Sequence, residues 1–388
     1  MKFFLFIKLA AISAALVGCG GGSSGPTPPI SGGSSVSSSS SSSVSSLAGC
    51  EKYNSVQGFA SLNSGTTGGA DVGAGNNLVT VTTGNDLRSA LTSGSYASLP
   101  LTIYVDGLIT WENANNQPIR ITRSNLSIIG RPNAEFLGVG IEIRDGASNL
   151  IIRNLKMREY PQSRGTGDLI SLDGRNGPIR KIWIDHNELH NSRTAPEGIC
   201  STQDCHKDYY DELVSGRGDV GEVTISYNYL HSSWKTSLWG SSDTDNSQRT
   251  ITFHHNHWEN VGSRLPLFRF GEAHIFNNYY HDVSDSGINS RMGAVMRIDG
   301  NYFEQVRNPI VSIDSAELGF WTVEDNFFQE ITQSNSSCNG STPPCYGKHQ
   351  ESTIEGHTPP YSYSLMPVEE VKEYVIESAG VNKIEACL

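Results

Sequence analysis

The amino-acid sequence predicts an all-β fold, a right-handed parallel β-helix with an asparagine ladder and short flanking helices. One phrase recurs from residue 149 onward: an alternating apolar run, then Asn, then bulky residues, as in VTISYNYLH and AHIFNNYYH. The last four steps between these asparagines are 28, 22, 23 and 25 residues, which are periods typical of a solenoid. In addition, the roughly 340 residues after the N-terminal segment exceed what one central core usually holds, unless the fold grows by repetition.

Asparagine suits the turn of such a repeat because it tolerates the left-handed region and its amide bonds to backbone. Amides at the same position of successive coils can hydrogen-bond along the axis as a ladder. Two longer steps, of 33 and 41 residues, must carry insertions, and such loops commonly form a solenoid's binding face. An antiparallel sandwich with Asn in its hairpin turns is the alternative. The recurring residues are Asn154, Asn187, Asn228, Asn256, Asn278, Asn301 and Asn326.

Two segments have helical patterns. VTTGNDLRSALTSG predicts a capping helix near the N-terminal end of the solenoid, with Asn85 or Asp86 as its N-cap. Near the C-terminus, Val368, Val371 and Val375 are spaced as on one helix face. We expect this second helix to pack against the solenoid.

The N-terminal residues are predicted to be an export signal and a tether. Residues 1–18 have the basic start and short apolar run of a signal peptide, and LVGC at their end resembles a bacterial lipobox. We therefore expect a lipoprotein with lipidated Cys19, anchored at the outer membrane or cell surface; an ordinary secreted protein is the alternative. Residues 19–49 are rich in Gly, Ser and Pro and predict a flexible tether. Residues 50–388 then form the β-helix domain.

Six cysteines remain besides Cys19, an even number that predicts disulfides in an exported chain. Sequence does not determine their connectivity. The pairing that we favour is Cys200 with Cys205, Cys338 with Cys345, and Cys50 with Cys387.

The formal net charge of −12 argues against nucleic acid as a partner, since nucleic acid selects basic surfaces. The same charge would repel a polyanionic substrate at long range. Binding such a substrate would require a local basic patch or a bound cation.

The segment SRLPLFRF places Arg264 and Arg269 five residues apart, with Pro266 between them. On an uninterrupted strand an odd spacing would put them on opposite faces. Proline breaks the strand, so a bend can bring both guanidiniums to one side as a site for carboxylate or phosphate groups. Two surface arginines on a loop are the alternative.

Other charged residues occupy comparable positions on neighbouring coils. Asp168 precedes the strand LISL, and Asp211 follows the longest insertion. Lys235 comes seven residues after Asn228, and Arg264 eight after Asn256. Similar offsets from the ladder predict that these side chains line one groove.

The elements WIDHNELH, VTISYNYLH followed by Lys235, and RLPLFRFGEAHIFNNYY together resemble the pectate lyases of polysaccharide lyase family one. The resemblance covers nearly the whole predicted domain. It implies calcium-assisted β-elimination on polygalacturonate, giving 4,5-unsaturated oligogalacturonides, by an enzyme that we expect to be a monomer. It also implies that Arg264 is the base, that Lys235 and Arg269 bind substrate carboxylates, and that Asp168 and Asp211 hold Ca²⁺.

Arginine is an unusual base because the pKa of its guanidinium is so high that the group is effectively always protonated. Neighbouring positive charge from calcium, Lys235 and Arg269 would disfavour its cation. An arginine that only stabilises the enolate is the alternative role.

One position departs from the family pattern. The family commonly has a carboxylate four residues after the Asp211 position, where this chain has Ser215, so the calcium site loses one charge. Glu212 is expected to point away from the site, as the next residue along a strand, and Asp219 is a second possible substitute. Pectin lyases, the calcium-free relatives, have an arginine in this region, and Arg217 lies near it but out of register. Pectin lyase on methylated pectin and a non-catalytic polysaccharide-binding β-helix are therefore the alternative functions.

Overall fold

The structure is a computed structural model that describes residues 51–69, 77–96, 99–334 and 350–384. The predicted signal peptide and tether lie outside these residues, as do the cysteines of the predicted pairs Cys338–Cys345 and Cys50–Cys387. Among the described helices, none is long and apolar enough to cross a membrane.

The described residues form 25 strands, four α-helices and three 3₁₀ helices. The α-helices are α1 Glu51–Asn54, α2 Gly84–Thr92, α3 Gln203–Tyr209 and α4 Val368–Ser378. The 3₁₀ helices are Phe59–Ser61, Gly94–Tyr96 and Gln162–Arg164. The strands are β1 Leu78–Val81, β2 Leu101–Val105, β3 Leu108–Thr110, β4 Ile119–Ile121, β5 Leu126–Gly130, β6 Glu135–Leu137, β7 Ile141–Arg144, β8 Ser148–Arg153, β9 Lys156–Arg158, β10 Ile170–Asp185, β11 Glu188–His190, β12 Val214–Ser226, β13 Tyr229–Lys235, β14 Ser237–Trp239, β15 Thr250–His254, β16 His257–Ser263, β17 Leu267–Arg269, β18 Glu272–Phe276, β19 Tyr279–Val283, β20 Ile288–Arg291, β21 Val295–Asp299, β22 Tyr302–Val306, β23 Ile310–Val311, β24 Phe320–Glu324 and β25 Phe327–Gln329.

The strands wind into a parallel solenoid of about 10 turns, which confirms the predicted β-helix. Nine of them form one sheet, in the order β25-β22-β19-β16-β13-β11-β9-β6-β3. The other sixteen form a second sheet with two faces, joined by the long strands β10 and β12. The first halves of β10 and β12 pair with β7 and β14, and their second halves pair with β8 and β15.

The core consists of columns of like residues, because parallel strands in register place equivalent side chains one above another. One column runs Ile152, Ile184, Ile225, Phe253, Ile275 and Ile298, all fully buried. In the nine-stranded sheet an aromatic column stacks Trp258, Tyr280, Phe303 and Phe328 with ring planes within 9° of parallel.

The asparagine ladder is present from Asn187 to Asn326. Each amide nitrogen donates to the amide oxygen of the next Asn at 2.9–3.0 Å. These amides are buried from Asn187 to Asn301, so each hydrogen bond satisfies groups that have no access to water.

The prediction that Asn154 belongs to this ladder is wrong. Strand pairing aligns Arg153 with Asp185, so Leu155 stands opposite Asn187, and the Leu155 N–H donates to the Asn187 side chain at 3.0 Å. Asn154 instead adopts the left-handed conformation, with φ 57°. In the coils of the ladder that conformation belongs to the preceding residue, such as His186 with φ 51°.

Both predicted helices are present. In α2 the N-cap is Thr83, whose hydroxyl accepts from the Asp86 N–H at 3.2 Å, rather than Asn85 or Asp86. Asp86 lies in the first turn, and its carboxylate accepts from the Thr83 hydroxyl at 2.7 Å. Helix α4 packs Val371 and Val375 against Tyr279 of the nine-stranded sheet.

Candidate functional site

The predicted site residues lie at one turn of successive coils, where the chain leaves the nine-stranded sheet for the face of β7, β14 and β17. Asp168 lies between β9 and β10, and Asp211 between β11 and β12. Lys235 ends β13, and Arg264 directly follows β16. The solenoid thus places four residues far apart in sequence side by side.

The two insertions end at the acidic residues of this site. The shorter one contains the 3₁₀ helix Gln162–Arg164 and leads to Asp168. The longer one contains α3 and the predicted Cys200–Cys205 disulfide, with Cα atoms 5.4 Å apart, and leads to Asp211.

Asp168 is almost completely buried, with 6% of its surface exposed. Its Oδ1 accepts from the Glu212 N–H at 3.0 Å, and its Oδ2 accepts from the Ser215 hydroxyl at 2.9 Å. Burial raises the pKa of Asp168 well above its usual range, and the nearby Asp211 and Glu212 carboxylates raise it further. The Ser215 side chain therefore lies beside Asp168, at the position where the sequence analysis placed it.

Glu212 lies inside the site, so the prediction that it points away is wrong. It is 1% exposed, and its Oε1 accepts from Arg264 Nη1. Its Oε2 is buried without a hydrogen-bond partner among the described residues. Burial raises the pKa of Glu212 to about 7 against the opposing charge of Arg264, and Asp211 adds to the rise. Because β12 begins only at Val214, the two-residue alternation of a strand does not apply at Glu212.

Lys235 and Arg264 supply the positive charge of the cluster. Lys235 Nζ lies 2.8 Å from Asp208 Oδ1 and 3.2 Å from Asp211 Oδ1. Burial lowers the pKa of Lys235, but the hydrogen bond to Asp208 and the charge of Asp211 outweigh it and the pKa rises. Arg264 Nη1 lies 4.0 Å from Asp211 Oδ1.

The sequence analysis expected positive charge beside Arg264, but the groups that shift its pKa most are carboxylates. Its strongest neighbour is the Glu212 carboxylate, which raises the pKa of Arg264 against the effect of burial; Asp211 and Asp168 act in the same direction as Glu212. The backbone holds this residue in place, since its carbonyl accepts from the Ser237 N–H at 2.8 Å and the Thr236 hydroxyl at 2.7 Å. Arg264 itself has φ 70°, outside strand geometry.

Arg269 does not touch this cluster. The strand does break at Pro266, since β16 ends at Ser263 and β17 begins at Leu267. Arg269 then donates to Asp243 Oδ1 at 2.7 Å and to the Gly240 carbonyl at 2.9 Å. The two arginines therefore have separate partners.

The sequence analysis did not identify Arg291 as a candidate site residue. It stands opposite Arg269 in register, is 8% exposed, and its Nε lacks a hydrogen-bond partner among the described residues. Burial lowers the pKa of Arg291 to about 10, and the charges of Arg269 and Arg264 act in the same direction while Asp314 opposes them. Its position, 22 residues after Arg269, equals the step from Asn256 to Asn278, which is the signal that could have found it.

A basic cavity of about 410 Å³ adjoins Asp168 along the same face. Four arginines line it, with Glu142 and Asp173 as their partners. Arg217 belongs to this cavity and lies 3.3 Å from Asp173 Oδ2, while Ser215 holds the position next to Asp168. The arginines are Arg120, Arg144, Arg175 and Arg217.

Comparisons with known proteins point the same way as this geometry. A model of the pectate lyase family matches residues 40–384. A pectate trisaccharide-lyase of Bacillus licheniformis is 46% identical over 332 residues, covering 85% of this chain and 87% of the relative. Among solved structures, a pectate lyase of Bacillus sp. N165 in complex with trigalacturonate matches with TM-score 0.70 and 32% identity, over 85% of this chain and 99% of that one. Pectate lyase C of Erwinia chrysanthemi, solved with Ca²⁺, matches with TM-score 0.72 and 27% identity, over 86% and 98%.

Proposed function

The chain belongs to the pectate lyase family, and from this membership we propose that it cleaves polygalacturonate by calcium-assisted β-elimination, releasing 4,5-unsaturated oligogalacturonides. The observation that carries the proposal is the contact of Arg264 with Glu212 and Asp211, which form one carboxylate cluster with the buried Asp168.

The donor set of this cluster fits calcium. Every candidate ligand is an oxygen, which hard cations such as Ca²⁺ prefer. The Oε2 of Glu212 is buried without a hydrogen-bond partner among the described residues, so it is available to a cation. Asp168, Asp211 and Glu212 would hold the ion, and Ser215 would offer a neutral oxygen. Glu212 thus supplies the carboxylate that Ser215 lacks.

A calcium ion at this place would act as a Lewis acid that stabilises the negative charge developing on the uronate carboxyl during proton removal. We assign to Arg264 the removal of the substrate proton in the β-elimination. In the structure, Glu212 and Asp211 keep this guanidinium protonated by raising its pKa. Once those carboxylates share their charge with a cation, that stabilisation of the protonated form weakens, while Lys235 remains to disfavour it.

We assign substrate binding to the cations beside the acidic cluster. Lys235 borders a cleft of about 190 Å³ with Arg264, where it can reach a uronate carboxylate. Arg269 and Arg291 stand side by side on β17 and β20 and supply two more guanidiniums for the same purpose. The basic cavity beyond Asp168 lies where the substrate chain would continue.

Free carboxylates are favoured over methyl esters as the substrate for two reasons. The side chain that donates to Asp168 is that of Ser215, while Arg217 is engaged by Asp173, so Arg217 does not replace a cation beside Asp168. In addition, Lys235 and Arg264 together present two positive charges to the bound chain. A calcium-independent pectin lyase is therefore the second candidate.

The lipobox-like LVGC and the Gly/Ser/Pro-rich segment after it support a further part of the proposal. We infer that Cys19 is lipidated and that residues 19–49 tether the enzyme to the cell surface, which lets the domain reach substrate beyond the membrane. Metabolic labelling with a palmitate analogue should mark wild type and not Cys19→Ala.

One assay separates the candidate activities. The purified protein is incubated with polygalacturonate or highly methylated pectin, and both ultraviolet absorbance of the unsaturated product and released reducing ends are recorded. Absorbance on polygalacturonate supports the proposal. Activity confined to methylated pectin would indicate a pectin lyase, and reducing ends without absorbance would indicate hydrolysis.

A further inference from the structure

Three side chains of types that can bind a metal ion converge on the outer face of the nine-stranded sheet. Glu188 and His190 lie two residues apart on β11, so both point to the same face. His231 lies on β13 directly opposite His190 in register. None of the three belongs to the acidic cluster described above.

Their donor atoms surround a small space. Glu188 Oε1 lies 3.9 Å from His190 Nε2 and 3.8 Å from His231 Nε2, and the three ligand atoms are all within 4.8 Å of one another. These distances are too long for hydrogen bonds. Donors bound to a tetrahedral Zn²⁺ at about 2.0–2.1 Å lie about 3.4 Å apart. The two distances from Glu188 would therefore contract by about half an ångström, and the distance between the two histidine nitrogens by at most about 1.4 Å, on binding an ion.

The histidine rings are already oriented. His190 and His231 stack with centroids 4.5 Å apart and planes within 15°, and His231 also stacks on Tyr229 at 4.1 Å. His231 Nδ1 lies 3.0 Å from the Ser232 hydroxyl, while its Nε2 is buried without a hydrogen-bond partner among the described residues. When Nδ1 donates to Ser232, the lone pair of Nε2 faces Glu188, which is how second-shell hydrogen bonds orient metal-binding histidines.

We propose that Glu188, His190 and His231 form a binding site for a borderline divalent transition-metal ion, with Zn²⁺ as the representative. Two imidazole nitrogens and one carboxylate are a donor set that suits Zn²⁺ and its neighbours and disfavours Ca²⁺, which takes oxygen ligands. The site is therefore chemically separate from the calcium cluster. Water completes the coordination, since the side chains are 16–19% exposed and Glu188 lines an open cavity of about 550 Å³.

Lys156 competes with the ion. Its ammonium lies 2.9 Å from Glu188 Oε1, the same oxygen that faces the two histidines. Metal binding displaces Lys156 or shifts it to the second oxygen. Removing this lysine should consequently tighten metal binding, an effect that a purely structural stack of histidines would not produce.

The site would link the strands on either side of the longest insertion. Residues 191–228 lie between β11 and β13 in sequence, and they include Asp211 and Glu212. An ion bound by both strands stabilises the folded state by mass action. Zinc should therefore raise the melting temperature of the enzyme.

The experiment measures zinc binding by equilibrium dialysis of the full chain, in a buffer with excess Ca²⁺ to fill oxygen-only sites. Wild type is expected to bind one Zn²⁺ with saturation, and the affinity should fall at least tenfold in His190→Ala/His231→Ala. His281→Ala is the matched control, because His281 lies on the same face two strands from His231 and contacts Glu259. Its zinc affinity should stay within twofold of wild type.

Lys156→Gln should bind Zn²⁺ several-fold more tightly than wild type, and zinc should raise the melting temperature of wild type but not of the double-histidine variant. The absence of saturable binding in wild type would overturn the proposal. Binding that persists in the double-histidine variant, or is lost equally in His281→Ala, would also overturn it. Unchanged affinity in Lys156→Gln would remove Glu188 as a ligand and, with it, the site as proposed.

Discussion

Arg264 donates a hydrogen bond to Glu212 across the coils of the solenoid, and this pair joins the proposed base to the proposed calcium ligands. The contact couples two functions in one interaction: Glu212 keeps Arg264 protonated, and Arg264 offsets part of the cost of burying Glu212. A cation that binds Glu212 would therefore change both the pKa of Arg264 and the cost of burying the Glu212 carboxylate.

Glu212→Gln should weaken calcium binding, because the variant loses one of the three carboxylates of the cluster, and one that is 1% exposed. We expect the calcium concentration for half-maximal activity to rise by about tenfold, the equivalent of about 1.4 kcal/mol. The measurement is a calcium titration of the initial rate on polygalacturonate. Glu222→Gln, whose carboxylate contacts Asn63 away from the site, is the control and should leave the titration unchanged. An unaltered titration in Glu212→Gln would contradict its assignment as a ligand.

Ser215→Asp tests the position where the chain departs from its family. The new carboxylate would lie beside Asp168, whose pKa is already raised by burial and nearby carboxylates. Without calcium the added charge should lower the melting temperature, and with calcium it should lower the half-saturating concentration several-fold. Ser215→Ala, which removes the oxygen without adding charge, should not tighten calcium binding. Equal calcium affinities in Ser215→Asp and wild type would show that this position does not face the ion.

Asn256→Ala should destabilise the fold by about 2–4 kcal/mol, because it leaves several buried polar groups unpaired. The Asn256 amide bonds Asn228 and Asn278 side chains and the Ile225 carbonyl at 2.9–3.0 Å. The measurement is the free energy of unfolding in denaturant. Asn326→Ala is the control at the partly exposed end of the ladder and should cost less. Equal losses at the two positions would argue against cooperative burial of the ladder.

The buried His254 should make stability depend on pH in acid. Burial lowers the pKa of His254 from about 6.5 to about 3, so the folded state holds it neutral while the unfolded chain protonates it. The neutral His254 contributes fully to the free energy of unfolding above the pKa that histidine has in the unfolded chain. That contribution is lost as the pH falls from about 6.5 toward 3, by up to about 1.4 kcal/mol per pH unit. His254→Gln should flatten the fall in unfolding free energy between pH 6.5 and pH 4. Parallel curves for the two proteins would contradict this.

Much of the fold follows from the sequence because a solenoid repeats its local rules. The step between successive asparagines revealed the coils, and alternation in strands such as VTISY revealed which side chains face inward. The same logic failed at Asn154. Asn154 occupies the left-handed turn position that aligns with His186, one residue before the ladder position of Asn187. Asparagine is compatible with both positions of the turn, so the sequence alone does not distinguish them.

The positions of site residues were predictable where the residues occupy a fixed place in the repeat. They were less predictable where the conformation of a loop sets the position of the side chain. Asp168, Asp211, Lys235 and Arg264 do meet at one turn of successive coils. Glu212 was misplaced because it precedes the strand, where side chains no longer alternate. Arg269 lies at the end of β17, and its partner Asp243 comes from another loop, which local spacing does not predict.

The central claim is that Arg264 handles the proton at a calcium-dependent site. The most direct test is the rate of unsaturated product formation by Arg264→Ala on polygalacturonate at saturating calcium, with and without chelator, together with its calcium affinity. The account predicts that chelator abolishes wild-type activity and that turnover in Arg264→Ala falls by about 10²–10⁴ or more, while calcium binding is retained or tightened. Turnover in Arg264→Ala within tenfold of wild type, or wild-type activity that survives chelation, would contradict it.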